Sequence, residues 1–190
     1  MTQFSLFGAA VAEPCVDDLD GVLLAGGHWV RSGTGARLSV VVADRWRANA
    51  LAAAFLQRGV GGADAVVPAE GGIAVRTGFH DVLLEHAQQW TRGAREEPPI
   101  GFQLTAGGLR LWAVATGRAT ELGYLLGTAD PDDKVHQVGG AQLSRFGVAA
   151  VSITGRAGGP GWRVTSAKRL RRFAELIGEA PAGAGPDWPI

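Results

Sequence analysis

The chain has 190 residues, of which 46% are apolar and 19% charged, with a formal net charge of zero. That length and composition exclude a disordered or fibrous chain and allow one substantial core or two small ones. No apolar run is long enough to cross a bilayer, and neutrality argues against strong nonspecific nucleic-acid binding.

Cys15 is the only cysteine, which excludes an internal disulfide and fits a reducing cytoplasm. The N-terminus lacks a basic region ahead of an apolar run, so no secretory signal is expected. The chain begins Met1-Thr2 and then Gln3-Phe4-Ser5-Leu6-Phe7, an amide leading three apolar side chains. Two readings fit this pentad. It folds back as an edge strand or lid, or it docks extended on a partner. Residues 1–14 are therefore read as a flexible docking peptide.

Glu13 and Pro14 break the chain, and Asp17 or Asp18 caps a helix carrying Leu19, Val22 and Leu23. Gly33 and Gly35 mark a turn, and 36–43, with Val40, Val41 and Val42, reads as a buried strand. Asp44 caps a helix carrying Trp46, Leu51, Ala54 and Phe55 that ends near Gly59. Strands follow at 65–68 and 73–77, then a helix at 81–92, then Pro98-Pro99.

In the second half, 109–116 is an apolar stretch read as helix, with a hairpin over 102–114 as the alternative. A strand is expected at 122–128. Asp130-Pro131 caps a helix carrying Val135, Val138, Leu143 and Phe146. Strands at 149–154 and 161–165 and a helix at 168–177 complete the order. The Pro/Gly/Ala-rich segment 179–190 is expected to be disordered.

The halves echo each other. Ala43-Asp44 answers Ala129-Asp130, Gly59-Val60 answers Gly147-Val148, and Thr77 answers Thr165. Asp44 to Val60 spans 16 residues and Asp130 to Val148 spans 18, while Val60 to Thr77 and Val148 to Thr165 each span 17. The expectation is an α+β fold made of two α-β-α-β-β-α units, 15–98 and 99–178.

The pentad Gln3-Phe4-Ser5-Leu6-Phe7 resembles the Gln-Leu-Ser/Asp-Leu-Phe motif of bacterial proteins that bind the DNA polymerase sliding clamp, with Phe4 in place of the usual Leu. The resemblance implies that Gln3 hydrogen-bonds in the clamp pocket and that Leu6 and Phe7 fill its apolar part. The stretch Gly21-Val22-Leu23-Leu24-Ala25-Gly26-Gly27 resembles the F-L-A-G-G signature of WhiA-type bacterial regulators, whose N-terminal part has the LAGLIDADG homing-endonuclease fold. That resemblance implies two α-β units packed along a pseudo-twofold axis through their first helices. Ala25, Gly26 and Gly27 are expected to face Ala113, Ala115 and Gly117 there.

The metal-binding acids of those endonucleases fall near Gly26 and Arg118, so no nuclease activity, metal or cofactor is expected. Asp17, Asp18 and Asp20 are read as helix caps. His28, His80, His86 and His136 are scattered and read as surface or capping residues. In a fold of this type the sheets form a saddle over double-stranded DNA. Arg31, Arg37, Arg76, Arg118, Arg156 and Arg163 are the residues expected to contact it. The expected function is a non-catalytic, cytoplasmic, nucleoid-associated accessory protein of replication or repair that binds the β sliding clamp. The alternative is a WhiA-like DNA-binding regulator.

Overall fold

In a computed structural model of the chain, residues 12–93, 95–129, 134–155 and 159–189 are described. The fold is mixed α+β. A short 3-10 helix, Val16–Leu19, runs into α1 (Asp20–Leu24). A hairpin follows, β1 (His28–Ser32) and β2 (Gly35–Val42). Next come α2 (Arg45–Gln57), the hairpin β3 (Val66–Ala69) and β4 (Gly72–Arg76), and α3 (Val82–Trp90). A two-residue-strand hairpin, β5 (Thr91–Arg92) and β6 (Arg95–Glu96), leads towards the second half.

The second half runs α4 (Ala106–Thr116), β7 (Arg118–Thr120), β8 (Gly123–Gly127), α5 (Lys134–Arg145), β9 (Val151–Ile153), β10 (Gly161–Val164) and α6 (Ala167–Ile177). Each half contributes a four-stranded antiparallel sheet, ordered β1-β2-β4-β3 in one and β7-β8-β10-β9 in the other. The expected α-β-α-β-β-α order missed the first strand of each sheet, and in the first half also the short β5–β6 hairpin. β1 has only Trp29 and Val30 as apolar residues, and β7 has three residues, so neither gives a periodic run. Residues 106–116 are helical, with the Thr105 hydroxyl accepting from the Gly108 N–H at 2.8 Å as cap.

Helices α1 and α4 pack against each other at the centre. The close approach is at Gly21 and Gly108, where a methyl added to Gly21 would lie 1.7 Å from the Gly108 carbonyl oxygen. The expected contact of Ala25, Gly26 and Gly27 with Ala113, Ala115 and Gly117 is therefore displaced towards the helices' N-termini. Gly26 instead faces Ala129, and Gly117 faces the Tyr124 hydroxyl. The crossing falls where both backbones lack a side chain, which lets them approach closely.

Buried residues from both halves, among them Leu24, Leu38, Phe55, Trp90, Trp112, Tyr124 and Phe173, form one core cluster. In α5, Gly139 and Gly140 leave room for the rings of Trp112 and Trp162. Two helical glycines cost about 1 kcal/mol each. Burying one indole covers roughly 150–250 Å², worth about 4–6 kcal/mol at about 25 cal/mol per Å², so the exchange favours packing.

Polar groups pin the halves together. Asp18 is buried and not a simple cap. It pairs with Arg58 at 2.5 Å and accepts from the Thr105 hydroxyl at 2.6 Å, while the Cys15 N–H donates to it at 3.2 Å. Asp20, also read as a cap, is buried 2.6 Å from His86 Nε2. The tail is ordered through residue 189, against the expectation of disorder. Trp188 is 4% exposed, donates from Nε1 to the Gly178 carbonyl at 2.9 Å and lies under Arg110, while Ala184 is also buried. One indole anchors a stretch whose composition alone suggests no structure.

Candidate nucleic-acid interface

Strand pleating decides which arginines share a face. In β2, Ala36, Leu38, Val40 and Val42 point into the core, so Arg37, Ser39 and Val41 point away from the helices. Register carries that outer face across the sheet. His28 of β1 and Arg76 of β4 flank Ser39, and Val30 sits opposite Arg37. In β8, Tyr124 and Leu126 belong to the core cluster, so Leu125 points outward, flanked by Arg118 of β7 and Arg163 of β10.

The two sheets thus repeat one arrangement. On the second strand of each, an outward residue, Ser39 or Leu125, lies between a group on the first strand (His28 or Arg118) and an arginine on the last hairpin strand (Arg76 or Arg163). Leu125 is only 1% exposed although it faces away from the helices. Arg118 and Arg163 flank it in register on the two neighbouring strands. In the first sheet the Arg37 guanidinium lies 4.7 Å from the Phe79 ring centroid, and that ring is 45% exposed. The Nε atoms of Arg37 and Arg76 are shielded and have no hydrogen-bond partner.

Four of the six expected arginines, Arg37, Arg76, Arg118 and Arg163, are therefore brought to the outer faces. Arg31 is not. It pairs in register with core-facing Ala36 and lies on the helix side of β1, where alternation puts it. Arg156 and the pentad Gln3, Phe4, Ser5, Leu6 and Phe7 lie outside the described residues. His28 and Phe79 were not read from the sequence as part of this face. His28 joins it only once β1 is paired with β2, and Phe79 only through its contact with Arg37.

A cavity of about 490 Å³ at the foot of α4 joins the two outer faces, with Val41, Leu125, Arg118 and Pro160 in its lining. In its lining the buried Arg47 guanidinium donates to the Val114 and Gly117 carbonyls at 2.9 and 2.7 Å. The same group meets Asp44 at 3.0 Å and Asp187 at 3.4 Å. A cation at a helix C-terminus offsets the free carbonyls, and here it is also shared between the two nearby carboxylates.

At the foot of α1 a second cavity, of about 680 Å³, includes His28, Glu96, Glu97, Thr128, Lys134 and His136 in its lining. Glu97 pairs with Lys134 at 2.7 Å, and Glu96 accepts from the Trp29 N–H at 2.5 Å. Burial pushes the Glu96 carboxyl above the usual range, against the pull of the Trp29 N–H and His28. His136 is buried, where the sequence reading makes it a surface or capping residue. Its nitrogens meet Thr128 Oγ1 and Ser152 Oγ, each at 2.8 Å, and its ring stacks on Trp162 at 4.7 Å.

Among the described residues, no cluster of three or more His, Cys, Asp or Glu side chains is arranged to hold a metal ion. None of the described helices is long and apolar enough to cross a membrane. No protein-family model matches the chain, and no curated protein matches it.

Proposed function

We propose that the chain is a non-catalytic accessory protein of DNA replication or repair. Its sheet faces contact double-stranded DNA, and its Gln3-Phe4-Ser5-Leu6-Phe7 peptide docks on the DNA polymerase sliding clamp. The observation that carries the DNA half is the repeated row of outward polar side chains, Arg76 with His28 in one sheet and Arg163 with Arg118 in the other. Guanidinium groups suit phosphate oxygens and guanine edges, and two rows bridged by a shallow cavity suit a rod-like ligand. The equal strand orders of the two sheets and the Gly21–Gly108 helix crossing support a duplicated LAGLIDADG-like unit. Asp44 and Asp187 are engaged by Arg47, which favours a binding role over metal-dependent cleavage.

The clamp half rests on the pentad. Tethering to a clamp raises the local concentration of a weakly binding body near DNA, which reconciles a neutral chain with a DNA partner. The test has two arms. In calorimetry against the purified clamp, Gln3→Ala or a Leu6→Ala, Phe7→Ala pair abolishes binding while the melting temperature stays constant. In duplex binding, Arg76→Gln with Arg163→Gln weakens affinity and lowers the salt slope by about 2. Unchanged clamp affinity removes the docking role. Unchanged duplex affinity removes the sheet-face role.

A further inference from the structure

The basic face of α6 belongs to neither arm of that reading. We propose that it is a second binding surface for the phosphodiester backbone of a nucleic acid, on the opposite side of the second sheet from Arg118 and Arg163. Its inner side is committed to the core: Phe173, Leu176 and Ile177 are fully buried, and the Phe173 ring lies 5.3 Å from Tyr124. Tyr124 faces the helices while its neighbour Leu125 faces outward. The α6 groove therefore opens on the helix side of the second sheet, and the arginines flanking Leu125 lie on the other side.

Lys168, Arg169, Arg171 and Arg172 occupy the outer side and line one groove of about 780 Å³ with Ser166, Gly147 and a single carboxylate, Glu175. Glu175 sits 3.9 Å from Arg172. The arrangement is electrostatically strained in two independent ways. Lys168 with Arg171 and with Arg172, and Arg169 with Arg172, are like-charge pairs at the i, i+3 and i, i+4 spacings that face each other on a helix. Lys168 and Arg169 also stand in the first turn, with no acidic residue there, at the end where the helix dipole opposes cations. A bound polyanion relieves both.

The predominance of arginine favours phosphate oxygens, which its fork can grip bidentately. Membrane insertion is disfavoured, because the apolar side that would enter lipid is already packed inside the protein.

The experiment uses the full chain and a Lys168→Gln, Arg169→Gln, Arg171→Gln variant. The variant is expected to melt at the wild-type temperature or above it, since self-repulsion is removed. Duplex binding is followed by fluorescence anisotropy over a salt series, with inorganic tripolyphosphate and anionic-lipid vesicles as separate probes. Support is a duplex affinity that falls about tenfold or more at low salt, with a log–log salt slope shallower by about 2 to 3. Unchanged affinity and slope overturn the proposal. So does wild-type binding of tripolyphosphate or vesicles without binding of duplex. Run alongside, the Arg76→Gln, Arg163→Gln pair reports on the sheet face alone, so either surface can fail without the other.

Discussion

Replacing Gly21 with alanine tests the central helix crossing. The added methyl would lie 1.7 Å from the Gly108 carbonyl oxygen and within 2.9 Å of the Gly108 Cα. These are backbone atoms of α4, so no rotamer change relieves the clash. Overpacking of a filled core costs about 1–3 kcal/mol, and contact with backbone argues for the upper end. The better helix propensity of alanine returns about 1 kcal/mol. The net loss is about 2 kcal/mol, or roughly 4–8 °C in melting temperature for a chain of this size. The assay is urea and thermal denaturation followed by circular dichroism. Gly33→Ala would be strained by its positive φ, so Gly155→Ala is the control, since no described residue lies within 4 Å of its added methyl. A Gly21→Ala protein as stable as wild type would refute the crossing and the central packing of α1 on α4.

The Asp18–Arg58 pair should behave as a buried charge pair. Arg58→Ala leaves the Asp18 carboxylate without its cation and is expected to cost about 3–5 kcal/mol in urea denaturation, with part recovered by adding Asp18→Asn. For His86, burial alone pulls the imidazole pKa down, but the hydrogen bond to Asp20 and the charges of Asp20, Asp17 and Glu85 raise it above the ordinary 6.5. Its contribution is therefore lost as pH rises through the higher folded value, and on the acid side it lasts until Asp20, whose carboxyl burial pushes up, takes a proton. Melting curves across this range should show wild type gaining most over His86→Gln on the acid side, and a gap that widens with rising pH would contradict the pairing. Trp188→Ala should cost about 3–5 kcal/mol by thermal denaturation, because the indole is 4% exposed and closes over Arg110. A variant as stable as wild type would show that the tail contributes nothing to the fold.

Local chemistry in the sequence sufficed for most elements. The valine run at 40–42 and the apolar spacing of Leu170, Phe173 and Leu176 each specify a strand or helix through their nearest neighbours, and Asp44 marks the start of α2 although its carboxylate bonds Arg47 and not the first-turn N–H groups. The order of those elements carried the α+β class. Side-chain partners were not legible, because they are set by residues far apart in the chain. Asp18 looks like a cap until Arg58 and Thr105 fold against it, and Asp20 looks the same until His86 arrives. The tail reads as disordered until Trp188 finds Gly178 and Arg110.

The arginines divide the same way. Their number and their positions on strands were in the sequence. Which of them share a face depended on register: a shift of one residue inverts a strand, and an unread β1 hid both His28 and the true side of Arg31. Composition and periodicity determined what kind of chain this is and where its elements lie. Only tertiary pairing decided which charges are buried inside it and which line up on its outer faces, because a charge's role follows from neighbours that the linear order does not place beside it.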